Sequence, residues 1–187
     1  MTSNTSHGVA RSLHDVGLAA WFGGSLMGAV GLNGGAATAK DPAQRAQIAS
    51  AGWNKWTPVN AAAIGSHILG AVLLTGANKG RLSAQKGVMS SSLVKTAATA
   101  GALAVTAYGR SLGKTISDAG PTPVDGVTEP GAMTPAQVAA AQRKERYVQW
   151  AIPAMTGVMI VISAKMGEQQ QPAEVVKGIV KRLNPLD

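Results

Sequence analysis

Three histidines, His7, His14 and His67, are the side chains best suited to hold a metal ion or a haem, because the 187-residue chain contains no cysteine. A two-histidine site needs both rings at one depth on facing helices. His67 stands in the middle of a long uncharged window and level with Met27 of an earlier one, whereas His14 stands at the edge of that earlier window. At helical rise the two levels differ by roughly 15 Å, so the spacing predicts that His14 and His67 do not pair. His7 falls in a polar terminus. His67 alone is expected to make a structural hydrogen bond across a helix interface. A proton relay, a ligand contact or half of a haem site shared with another chain are the sharper alternatives. No resident cofactor and no metal are expected.

A second group is polar and uncharged. Asn33 lies near the end of the first window, Asn60 near the start of the second, Tyr108 closes a third and Gln149 opens a fourth. Their spacing places them at one depth, where they would form interhelical hydrogen bonds or line a polar pocket. No carboxylate lies inside any window, no glycine-rich loop follows a strand pattern, and Gly23-Gly24-Ser25 lacks the nucleophile-elbow pattern. Lys95 is the single charge within reach of a window interior, and it is near enough to an edge to serve as an anchor. Nothing points to an enzyme.

The elements that must position these residues are the windows themselves. Val16–Ala39 carries no charge over 24 residues, about 36 Å of helix against a hydrocarbon core of about 30 Å. Ala37-Thr38-Ala39 fits a small-residue cleavage site, yet the run exceeds a usual signal-peptide core and is read as a retained span. A second window lies between Lys55 and Lys79, and a fourth covers Tyr147–Ala164 with Pro153 near its start. The third is the shortest, with 14 uncharged residues between Lys95 and Arg110, and needs both bases to snorkel. Trp53 and Trp56 precede the second span and Trp150 opens the fourth, the aromatic placement of a membrane interface. Net charge is +8. The basic residues flank apolar windows, so anionic lipid rather than nucleic acid is the expected partner.

The expected fold is all-α: an integral membrane bundle of four transmembrane helices at about 16–39, 56–78, 92–112 and 147–165. Residues 1–15 form a polar N-terminal segment, 16–168 the membrane domain with a polar loop at 113–133, and 173–187 an amphipathic helix on the membrane surface. Asp41-Pro-Ala-Gln44 and Thr134-Pro-Ala-Gln137 both carry a capping residue with proline after it, predicting interfacial helices before spans two and four and admitting an internal duplication. Small residues recur every four positions at Ala20, Gly24 and Gly28, at Ala62, Ser66 and Gly70, and at Ala97 and Gly101, as close helix packing in lipid requires. Four spans put both termini on one side, and the basic 79–95 connection and tail lean that side towards the cytoplasm.

The stretch LHDVGLAAWFGGSLMGAVGLNGGAA followed by DPAQRAQIASAGWNKWTPVNAAAIGSH resembles uncharacterised small four-helix integral membrane proteins of high-GC actinobacteria. The resemblance covers the first two helices best, implies a plasma-membrane location, and carries no activity and no functional residues.

The functional expectation is a non-catalytic membrane module, an accessory or scaffold subunit that packs as a homo-oligomer or within a larger membrane-protein complex. The alternative is a binder or carrier of a small apolar or lipidic molecule, or a haem- or quinone-linked redox accessory. Four uncharged windows predict that the protein stays with the membrane fraction through alkaline carbonate washing; release into the supernatant would contradict the membrane assignment.

Overall fold

The computed structural model describes residues 2–77 and 88–168. Its elements are α1 (Thr2–Met27), a π-helical turn (Gly28–Leu32), α2 (Asn33–Ala37), α3 (Pro42–Ala77), α4 (Val88–Asp118) and α5 (Ala136–Glu168), with no strand among the described residues. The first three run on as one rod. Alanine-rich, nearly charge-free sequence makes helix the only economical state in lipid, where each backbone polar group must be satisfied within its own segment.

Local chemistry sets the ends. Thr38 and Ala39 close the first rod through bonds to Gly35 O and Ala36 O, both 3.2 Å. Asp41 Oδ1 then accepts the Ala43 N–H at 2.9 Å and Pro42 takes the first helical position, an ordinary N-cap followed by a residue with no donor to lose. Thr134 behaves differently. Its hydroxyl donates to Pro123 O at 2.7 Å and accepts from the Gly131 N–H at 2.9 Å, so it holds the preceding loop instead of capping α5. After α4, Gly120 has φ of 67°, the left-handed position that favours glycine just past a helix end.

Two antiparallel hairpins result, α1 with α3 and α4 with α5, and α1 packs against α5 to join them. The α1–α3 hairpin is the tighter. A methyl group on Gly17 would strike backbone atoms of Ala63 and His67, and one on Gly70 would strike backbone atoms of His14 and Ala10. Glycine is required at both for the backbones to approach. Further along, the Trp56 indole fills the hollow over Gly24 and the Trp53 indole that over Gly28. Between α4 and α5, the Met155 side chain fills the hollow at Gly101.

The bundle is apolar outside and partly polar within. Val16, Val30, Val72, Leu93 and Val161 are among the side chains turned outward, on all four long helices, while His14, Asn33, His67, Gln142 and Thr156 are buried. In water that distribution would be costly; against lipid chains it is favourable. Three helical stretches, His7–Ala37, Pro42–Ala77 and Ala136–Gly167, are long and apolar enough to cross a membrane. The chain is therefore a helical membrane protein.

Several boundaries differ from the sequence expectation. The N-terminal segment 1–15 is drawn into α1 from Thr2 onwards, because Ala10 and His14 pack against Gly70 of α3. The separate interfacial helices expected before spans two and four are the first turns of α3 and α5, with no break at Trp56 or Trp150. The third helix extends past Leu112 to Asp118, since Leu112 and Ile116 bury one face against Ala46, Val124, Val138 and Ala141. The polar loop thus shortens to 119–135. The tail at 173–187 lies outside the described residues.

Backbone contact at Gly70 has a direct consequence. Gly70→Ala should lower stability by about 1–3 kcal/mol through overpacking. Gly65→Ala, where an added methyl meets nothing within 4 Å, should be neutral or slightly stabilising. Thermal unfolding of both variants in detergent checks this, and equal melting temperatures would contradict the α1–α3 contact.

Candidate functional site

The two hairpins meet at α1 and α5, while α3 and α4 barely touch each other. Between α3 and α4 lies a cavity of about 370 Å³. Its size falls within the range of small-molecule pockets. At the deeper end the wall is Ile64, Leu103 and Ile152, and at the loop end it is Ala46, Ile116 and Val127. Polar side chains gather between these ends.

They form one connected network and two unsatisfied groups. Trp53 Nε1–H donates to Asn33 Oδ1, and Asn33 Nδ2–H donates to Gln149 Oε1, each at 2.9 Å. These bonds tie α2, α3 and α5 together at one level. Asn60 Oδ1 and Glu145 Oε2 also sit on the cavity wall and are shielded from solvent, yet neither has a hydrogen-bond partner. Arg110 lines the same space without an ion pair to Glu145.

The loop 119–135 closes one end. Gln142, fully buried, donates through Nε2 to Gly126 O at 3.0 Å and Val127 O at 2.9 Å. Arg45 of α3 reaches Val124 O at 3.1 Å, Asp125 O at 2.8 Å and Ala39 O at 3.0 Å, binding the loop to the α2–α3 turn. Thr128 Oγ1 donates to Glu129 Oε1 at 2.8 Å within the loop. The segment read from sequence as a polar loop is a folded lid at that end, with Val124 buried in the core beside Leu112 and Ile116 and Val127 lining the cavity.

Asn33, Asn60 and Gln149 meet at this cavity; Tyr108 does not, and is turned outward. Trp53 and Trp56 line the cavity while covering the glycines of α1, and Trp150 is half exposed on the outer surface. Gly24, Gly28, Gly70 and Gly101 lie at helix contacts, Ala20 and Ser66 are partly buried, and Ala62 and Ala97 face outward.

The histidines require a correction. His14 and His67 are in contact, with ring centroids 4.4 Å apart and His67 Nδ1 3.3 Å from His14 O. The expected offset assumed that residues 42–55 fold away from span two. Because α3 is continuous from Pro42, reflection about the turn near Lys40 brings His67 level with His14. Asp15 Oδ1 lies 2.6 Å from His14 Nδ1, and Trp21 stands edge-on to His67 at 6.2 Å. Both Nε2 atoms are buried without a partner. Two nitrogens on opposite sides of one iron stand about 4 Å apart, with their ring centres further still, so this contact leaves no space for a metal between the rings. No group of three His, Cys, Asp or Glu side chains able to hold a metal occurs among the described residues.

Glu145 escaped the sequence reading because it sits in the run Arg143-Lys144-Glu145-Arg146, which resembles a solvated face. The signal was the helical period. Stepping back from buried Met159 and Thr156 by threes and fours passes Ile152, Gln149, Glu145 and Gln142, a single stripe of α5 facing the bundle.

No protein family, curated protein or solved structure matches the chain, so the resemblance to actinobacterial membrane proteins stands on the quoted residues alone.

Gln142→Leu removes the donor that serves two lid carbonyls and leaves them buried, at a cost of about 1–3 kcal/mol. Limited proteolysis within 119–135 should accelerate relative to the wild type and to Gln137→Ala, an exposed control on the same helix. An unchanged cleavage rate would contradict the lid.

Proposed function

We propose that the protein is a non-catalytic, four-span membrane module whose cavity holds a small, mostly apolar molecule by a polar group. The observation that carries this reading is the cavity between α3 and α4, apolar at both ends and polar at its waist. A void of that size inside a scaffold module would forfeit dispersion contacts, and a packed bundle would close it. Cavity, polar network and lid together suit an occupant.

Helix length supports an amphiphile. The 36 residues of α3 make about 54 Å of helix, well beyond a hydrocarbon core of about 30 Å. With Trp56 at the membrane edge, residues 56–77 cross the core and 42–55 stand outside it. The cavity spans residues 46–64 of α3 and so straddles that edge. Its deeper end adjoins lipid chains and its waist lies near the headgroups.

Four long helices, each antiparallel to the next, support four spans with both termini on one side. The basic residues Lys79, Arg81, Lys86 and Lys95 favour a cytoplasmic placement for that side, and a plasma-membrane location rests on the actinobacterial resemblance. A homo-oligomer or a larger complex is supported by the outward position of Ala62 and Gly65 on α3, where a second helix has room to approach.

Binding is testable with 12-bromododecanol, whose bromine quenches indole fluorescence, using protein in nanodiscs of unbrominated lipid and Trp21→Phe/Trp150→Phe as the background. Saturable quenching of Trp53 and Trp56 is expected. Ala107→Phe and Gly113→Leu, two separate changes on the cavity wall, should each weaken it about tenfold or more by occupying the space. Quenching that rises linearly with the amphiphile, equally in all variants, reports only partition into the bilayer and contradicts the proposal.

A further inference from the structure

We infer that the molecule held in the cavity carries a cationic amine, an alkyl ammonium whose head binds Glu145. The inference rests on the proposed cavity reading and specifies the chemistry of its occupant. A carboxylate offers only acceptors, about four lone-pair sites. Glu145 sits half-buried on α5 with Oε2 shielded from solvent and no hydrogen-bond partner. The remaining polar atoms do not supply what it lacks. The Trp53 indole N–H is given to Asn33, and the Asn33 amide N–H to Gln149. The second unsatisfied atom on the wall, Asn60 Oδ1, is another acceptor. Arg110 lines the cavity, yet it is exposed and makes no ion pair with Glu145.

The cavity wall therefore holds two unpartnered acceptors, Asn60 Oδ1 and Glu145 Oε2, in largely apolar surroundings, and burial raises the Glu145 carboxyl to about 7, so that a bound cation draws it into the charged form. An uncompensated charge there is costly, and a ligand ammonium resolves it with short, charge-assisted bonds. Fatty acids and phosphate esters bring a like charge to Glu145 and no donor. Neutral alcohols bring one donor and no charge. The apolar ends of the cavity select an aliphatic tail, and Glu145 selects the head.

The experiment compares decylamine, decanol and decanoate binding to the full chain in zwitterionic nanodiscs, by isothermal titration at neutral pH, in wild type, Glu145→Gln and Arg110→Gln. Decylamine is expected to bind about tenfold tighter than decanol to wild type, the difference between charged and neutral hydrogen bonds. In Glu145→Gln the ratio should fall to near one, with thermal unfolding confirming that the variant is folded. Arg110→Gln should leave the amine preference in place. Equal affinities of decylamine and decanol in the wild type, or an amine preference that survives in Glu145→Gln, overturn the inference and leave the cavity proposal standing. Preferential binding of decanoate that Arg110→Gln abolishes overturns it in favour of an anionic ligand. Saturable binding of none of the three defeats the proposed function itself.

Discussion

The backbone contact between α1 and α3 at Gly17 and Gly70 is the constraint on which the architecture rests. Lipid offers no hydrophobic drive to bring two helices together, so their association depends on close dispersion contact and on hydrogen bonds across the seam. Glycine at these two positions lets main chain meet main chain, and that proximity buries His14 and His67 against each other. With one face committed to α3, the rod of α1 and α2 turns another to α5, where Asn33 of α2 meets Gln149 and Phe22 of α1 covers Gly157. Helix α4 joins through α5 and through the Trp21 indole, which donates to Thr106 Oγ1 at 3.2 Å. Helices α3 and α4 pack together near Ala46, Leu112 and Ile116, and the cavity occupies the unclosed seam beyond.

The interior is correspondingly mixed in polarity. Buried hydroxyls of Ser25 and Thr156 return their protons to carbonyls of their own helices, which satisfies them without tying helices together. The amides behave otherwise. Asn33, Gln142 and Gln149 reach across elements, and they define the polar level of the cavity and where the lid sits. A polar group in lipid is expensive unless it is paired, so a cross-element amide restricts the bundle to arrangements that retain its partner.

The membrane character and helical class were legible in the uncharged windows, because window length maps directly onto bilayer thickness. The polar level was legible in part. Asn33, Asn60 and Gln149 share the cavity, but Tyr108 points away, since depth along a helix says nothing about azimuth. The histidine contact was hidden by a single assumption, that Trp56 and Pro58 mark the start of a new helix. Proline at position 58 is carried inside α3 instead, and a continuous α3 changes the level of every residue beyond it. The lid was hidden for another reason. Its holding contacts are carbonyls of 124–127 meeting Arg45 and Gln142, and backbone acceptors leave no mark in composition. Glu145 was obscured by its basic neighbours, although the period of its own helix pointed inward.

The π-helical turn at Gly28–Leu32 bears on how such a wall arises. Its closing bond runs from the Asn33 N–H to Gly28 O, five residues back instead of four. One residue more than an α-helix needs is thereby accommodated, and each residue of α-helix turns the chain by about 100°. Regular α-helix built from the same residues would swing Asn33 by about 100°, away from Trp53 and Gln149, with every side chain identity retained. The polar level is thus set by the backbone hydrogen-bond pattern of one turn as much as by residue types. Deletion of one residue between Met27 and Asn33 would take up that slack and leave Asn33 on the same face of the rod.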